Sequence, residues 1–168
     1  MRKLIVLALT LVFSSGICLA QQAAKSVYAE LGGPGIASIN YDMRFLKKQN
    51  GPGFRVGIGG FSVRNEYSDG SSERLSLLTV PLGINWLFGN DGRHYFEAGA
   101  GATIVRLKDD SDFDNDDDVF RGSFGHLTFG YRMQPTNSGF TFRAAITPVF
   151  GRGTFIPYYA GISFGYKF

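Results

Sequence analysis

Beyond its first two dozen positions the chain alternates hydrophobic and polar residues with a period of two. In the last segment Tyr158, Ala160, Ile162, Phe164, Tyr166 and Phe168 share one face, and Tyr159, Gly161, Ser163, Gly165 and Lys167 share the other. Leu78, Val80, Leu82, Ile84, Trp86 and Phe88 oppose Thr79, Pro81, Gly83 and Asn85 in the same way. Ala37, Ile39, Tyr41, Met43 and Phe45 oppose Ser38, Asn40, Asp42 and Arg44. This is the period of a β-strand whose two faces meet different surroundings. Eight such segments follow one another, at residues 26–32, 36–45, 53–64, 75–88, 94–107, 120–133, 140–150 and 155–168. Most are longer than the roughly five or six residues of ordinary globular strands. They match the roughly nine to eleven that a tilted membrane-crossing strand needs.

The connections support hairpins throughout. Gly51-Pro52, Asn90-Asp91-Gly92 and residues 135–139 are compact turns, and Gly33-Pro34-Gly35 and residues 151–154 are short as well. Residues 65–74 and 108–119 are longer and polar, and they fall on the opposite side from the three compact turns.

An apolar face can point into a soluble barrel or out into lipid, and composition separates the two. Charged residues are 18% of the chain, below the roughly 25% of soluble domains. The polar faces hold Gly, Ser, Thr and Asn more than the Lys and Glu of a water-facing surface. Small polar residues suit the crowded inside of a narrow barrel, so the apolar face is expected to point outward. Phe45, Phe54, Trp86, Phe88, Phe96, Tyr131, Phe140, Phe142, Tyr166 and Phe168 lie on that face near the compact-turn ends. There they would form an aromatic belt at one membrane boundary.

Residues 1–20 read as a secretory signal: Arg2 and Lys3, an apolar run from Leu4 to Phe13, and the small-x-small site Cys18-Leu19-Ala20. Cleavage after Ala20 leaves residues 21–168 as one barrel domain. It removes the only cysteine and lowers the formal charge from +3 to +1, by the loss of Arg2 and Lys3. Nucleic acid is therefore not expected as a partner.

With the signal, the eight segments and the ending Gly165-Tyr166-Lys167-Phe168, the chain resembles the small eight-stranded outer-membrane barrels, the class of the outer membrane protein A barrel domain. The resemblance implies an all-β fold, an eight-stranded antiparallel up-and-down transmembrane β-barrel. It implies residence in a Gram-negative outer membrane, with outer-membrane lipid and lipopolysaccharide as surroundings. Tyr166 and Phe168 match the terminal pattern that the barrel-assembly machinery reads in that class. A non-enzymatic structural or surface-interaction role is the expectation, with no cofactor.

Charges fall on the inward faces. Glu30, Asp42 and Glu97 stand against Arg44, Arg55, Arg132, Arg143 and Lys167, with His126 nearby in phase. Such groups are costly in a narrow interior unless paired, so an ion-pair network along the lumen is expected. An eight-stranded interior is just wide enough for side chains, which favours filling over a gate for small ions.

Three alternatives stand beside this reading. Residues 109–118 hold seven Asp, and Asp112, Asp114 and Asp116 have calcium-loop spacing. The Gly position of such a loop is Asp117 and the distal Glu position is Ser123, so the EF-hand reading fails; a solvated acidic loop is expected, with weak divalent-ion binding shared with surface lipopolysaccharide as the alternative. Some barrels of the resembling class modify lipid A with a His-x-Ser pair and a Glu. Here His126-Leu127-Thr128 carries Thr in that place and no Glu follows Glu97, so no catalytic residue is expected. The remaining alternative is a secreted soluble β-barrel that binds a small apolar ligand.

Overall fold

A computed structural model describes residues 23–66, 72–109, 122–151 and 153–168. The expected signal segment and most of the acidic run lie outside the described residues. Among the described residues ten strands are present: β1 (Lys25–Gly32), β2 (Ala37–Arg44), β3 (Gly51–Glu66), β4 (Ser72–Phe88), β5 (His94–Asp109), β6 (Phe124–Met133), β7 (Gly139–Ile146), β8 (Val149–Gly151), β9 (Thr154–Ile156) and β10 (Ala160–Lys167).

Every pairing is antiparallel, and the sheet closes on itself where β1 pairs β10, with Ser26 opposite Lys167 and Gly32 opposite Gly161. The ten strands make eight barrel walls. β7 and β8 hold one register on β6, with Phe129 opposite Ile146 and Gly125 opposite Phe150. The ladder is interrupted at Pro148, which has no N–H to give; its carbonyl still accepts from Leu127 N at 3.0 Å. On the other edge Ala160 faces Ile146 while Ile156 faces Val149. One extra residue therefore sits between β9 and β10, where Pro157 and Tyr158 together oppose Pro148. This is a β-bulge. Closure leaves no free edge along the lower barrel.

The walls differ in height. β3, β4 and β5 run 16, 17 and 16 residues against 8 each for β1 and β2. Pairing of β2 with β3 stops at Ser38–Gly59, and of β5 with β6 at Thr103–Phe124. Beyond those points residues 60–66, 72–78 and 104–109 continue as a three-stranded sheet standing above the barrel. Within the segment 65–74, expected as a long loop, residues 65–66 and 72–74 are strand, and 67–71 lie outside the described residues.

Polarity is inverted relative to a soluble domain. On β4, Leu78, Leu82, Ile84, Trp86 and Phe88 are exposed while Thr79 and Asn85 are buried. The ten residue steps from Leu78 to Phe88 span roughly 33 Å along the strand. Tilted as barrel strands are, that covers the apolar band of about 25 Å on transmembrane barrels. Aromatic rings gather at the compact-turn rim. Phe45 stacks on Phe54 at 5.9 Å, Trp86 on Phe88 at 6.0 Å and His94 on Tyr131 at 5.9 Å between ring centres. Phe142 meets Phe164 at 5.3 Å. The architecture is a closed antiparallel barrel of eight walls, apolar outside and polar inside.

Candidate functional site

The alternation that turns apolar side chains outward turns a charged set inward. Glu30, Asp42, Arg44, Arg55, Glu97, Arg132 and Arg143 are all buried. Asp42 is the lower hub. Arg44 Nη2 and Arg132 Nη2 reach its Oδ1 at 2.7 and 3.0 Å, and Asn85 Nδ2 donates to its Oδ2 at 2.7 Å. Glu97 is held by a two-pronged contact from Arg143, Nε to Oε2 at 2.9 Å and Nη2 to Oε1 at 2.6 Å. Asn85 Nδ2 also donates to Glu97 Oε1 at 2.8 Å, tying the two acids together. Glu30 is the upper hub, with Arg55 Nη2 at 2.9 Å and Arg143 Nη1 at 3.9 Å.

Each of the eight walls contributes. Arg55 Nη2 donates to Asn40 of β2, Arg132 Nη2 to Ser26 of β1, and Ser163 of β10 donates to Glu30. Removing a carboxylate or guanidinium from water costs several kcal/mol even after relaxation. The paired geometry offsets that cost, and the planar Arg143–Glu97 contact is the strongest kind available. Glycine makes the room. A Cβ on Gly53 would strike the Arg44 guanidinium, and one on Gly165 would strike the Tyr28 backbone and Cβ.

Both ends of the lumen are covered by backbone. Residues 33–36 fold over the loop end, where Thr103 Oγ1 donates to Pro34 O at 2.8 Å and Thr79 Oγ1 to Gly35 O at 2.9 Å. Gly35 N donates down to Glu30 Oε1 at 3.3 Å. At the turn end Lys167 stands apart from the ion-pair network. Its Nζ donates to the carbonyls of Pro135, Thr136 and Asn137 at 2.8, 2.6 and 3.1 Å. Gln134 Nε2 donates to Gln49 O at 2.9 Å and Asn50 Nδ2 to Gly89 O at 2.9 Å, joining all three turns.

His126 is buried with its ring toward the lumen, and Thr128 lies on the same inward face. Tyr166 and Phe168 are half-exposed on the outer wall at the turn rim. The main-chain N–H of Phe168 donates to Lys25 O at 3.0 Å, beside the closing seam.

Sequence reasoning did not single out Tyr28 or Asn85. Tyr28 is fully enclosed, with the Arg143 and Arg55 guanidinium carbons 4.6 and 5.7 Å from its ring centre. Its phase was the available signal, since it alternates with Ser26 and Glu30 on the inward face. Asn85 has the phase of the polar face of β4, but its bridging of two acids depends on walls far apart in sequence. Among the described residues no group of His, Cys, Asp and Glu has a metal-holding arrangement.

No protein-family model and no curated protein matches the chain. Two solved structures resemble it in overall shape. The N-terminal β-barrel domain of Pseudomonas aeruginosa OprF has 13% identity and a TM-score of 0.48, over 87% of this chain and 96% of that one. The Yersinia pestis outer membrane protein Ail, in a phospholipid bilayer nanodisc, has 14% identity and a TM-score of 0.49, over 88% of this chain and 99% of that one.

Proposed function

We propose that this chain is a non-enzymatic integral barrel of a Gram-negative outer membrane, exported by its first 20 residues. Its role on this reading is to hold a structured surface beyond the membrane. The observation that carries it is the inverted polarity: an apolar wall outside and a charged network inside. A soluble barrel with an apolar ligand cavity needs the reverse arrangement. Lipid and lipopolysaccharide would then cover the outer wall. The barrel-assembly machinery would read Tyr166 and Phe168. The three-stranded sheet of residues 60–66, 72–78 and 104–109 would form the part that meets other molecules.

The lumen serves as filling on this reading. Side chains from eight walls meet in it, and backbone crosses both ends. An enzyme of the lipid-modifying kind would need an acid free to take a proton. Glu97 is committed to Arg143 and Asn85.

The test is refolding of residues 21–168 into lipid vesicles. The expected results are insertion, a mobility on SDS gels that changes on boiling, and no release of trapped small solutes. Folding in detergent-free buffer, with no partition into vesicles, would contradict the reading.

A further inference from the structure

The two ends of the barrel carry opposite charge. At the loop end, residues 60–78 and 104–121 hold ten acids and five bases. At the turn end, the turns 45–50, 89–93 and 134–138 and the start of β1 hold Lys25, Lys47, Lys48 and Arg93 against Asp91 alone. Asp91 is already engaged, since its Oδ1 accepts the main-chain N–H groups of Arg93 and His94. Lys47, Lys48 and Arg93 are exposed and have no ion pair or side-chain hydrogen bond among the described residues.

These three cations share one platform. Asn50 Nδ2 donates to Gly89 O at 2.9 Å, which joins the β2–β3 turn to the β4–β5 turn. Gln134 ties the third turn to both: its main-chain N–H donates to Arg93 O at 2.9 Å and its Nε2 to Gln49 O at 2.9 Å. Lys47 and Lys48 also stand on an apolar base. Phe45 and Leu46, just before them, are 55% and 49% exposed, and Phe45 stacks on Phe54 in the aromatic rim. Such rims lie at the headgroup level of a membrane. Lys47 is two residues beyond Phe45, at most about 7 Å along the chain. Both ammonium groups are therefore within reach of lipid phosphates, while Phe45 and Leu46 continue the lipid-facing wall.

We propose, resting on the membrane-barrel reading above, that the turn end binds an anionic glycerophospholipid of the leaflet on that side. Lys47, Lys48 and Arg93 hold its phosphate, and Phe45 and Leu46 lie against its acyl chains. The sign of the unpaired charge selects an anionic headgroup over a zwitterionic one. The exposed apolar pair selects a lipid over a free phosphate. The excess of acids at the loop end denies that end the same preference, so the selectivity is one-sided. Each cation close to an anionic surface contributes about fivefold in affinity, and the two lysines together about 25-fold.

The test titrates short-chain phosphatidylglycerol into residues 21–168 folded in zwitterionic detergent micelles, followed by amide NMR. Amides of residues 45–50 and 91–93 should shift to saturation. Short-chain phosphatidylcholine should not move them, and glycerol phosphate, which has no chains to bury, should bind more weakly. Lys47→Gln combined with Lys48→Gln should weaken binding about 25-fold. Arg106→Gln, on an exposed arginine at the loop end, should leave it unchanged. Equal shifts with both lipids, shifts confined to the loop end, or full affinity in the double lysine variant overturns the proposal. Equal affinity for glycerol phosphate also overturns it, because the site is then one for phosphate alone. A barrel that folds in micelles and gives any of these results leaves the membrane reading standing; a chain that does not fold there ends both.

Discussion

The two faces of β4 are built from the same strand and obey opposite rules. On its outer face Leu82, Ile84, Trp86 and Phe88 are exposed, and apart from the rim rings they have no specific partner. Their favourable energy comes from leaving water for lipid, which is non-directional and scales with area. On the inner face Asn85 reaches Arg44, Asp42 and Glu97 at once. The energy there lies in geometry, and removing one member strands the others. The outer face should therefore accept apolar exchange, while the inner face should accept almost none.

The sharpest contrast is on β2. Asp42→Leu strands Arg44 and Arg132 in the interior and should cost about 3–5 kcal/mol, the loss seen when a buried pair loses one partner. Ile39→Val on the outer face of the same strand should cost about 0.5–1.5 kcal/mol at most. Urea unfolding of both variants in vesicles measures the difference, and equal losses would break the comparison.

A charge placed on each face of β10 comes next. Ile162→Arg puts a guanidinium into lipid near mid-strand, at roughly 2–4 kcal/mol. Ser163→Arg puts it beside Glu30, to which the Ser163 hydroxyl donates at 3.4 Å. Insertion yield should fall further for Ile162→Arg; the reverse order would overturn the assignment of faces.

Lys167 and Tyr166 repeat the test at the turn end with smaller stakes. Lys167→Met leaves three carbonyls without their donor and should cost about 1–3 kcal/mol. Tyr166→Leu, facing outward, should stay under about 1.5 kcal/mol. The same unfolding assay ranks them.

The smallest effect lies in the β4–β5 turn, outside both faces. Asp91 Oδ1 accepts the main-chain N–H groups of Arg93 and His94 at 3.0 and 2.8 Å, and these bonds hold its carboxyl below the ordinary aspartate value. A lowered folded-state pKa adds stability above the unfolded value, and that contribution fades as pH falls through the folded one. An NMR titration should place the Asp91 midpoint below that of an unfolded peptide; an equal or higher midpoint would remove the turn's contribution.

The eight walls were legible because lipid and lumen impose a period of two that survives local breaks. The alternation runs through Pro148, so the interrupted β7–β8 wall still reads as one segment; at the β9–β10 bulge the phase shifts by one residue and the alternation resumes from Tyr158. The signal fails where that contrast ends. β3 and β4 extend past the expected strand ends, to Glu66 and from Ser72; nothing enforces alternation there, so residues 65–66 and 72–74 read as loop. Inward charges were legible by phase alone. Their pairing was not: Arg132 meets Asp42 from 90 residues away and Arg143 meets Glu97 from 46. Such contacts depend on register and closure, which no local pattern encodes. The covering of the lumen by residues 33–36 escaped for the same reason, since its partners Thr79 and Thr103 lie on β4 and β5.

The central claim is that alternate residues of one strand face lipid and lumen. It is tested most directly by placing a nitroxide at each position of β10 in turn, in lipid vesicles, with the chain's one cysteine, Cys18, left out of the mature protein. Collision with oxygen should peak at positions 160, 162, 164 and 166 and dip between them, while a water-soluble nickel chelate reaches none of the mid-strand sites. Ready access of the chelate to labels at 162 and 164 would contradict the account.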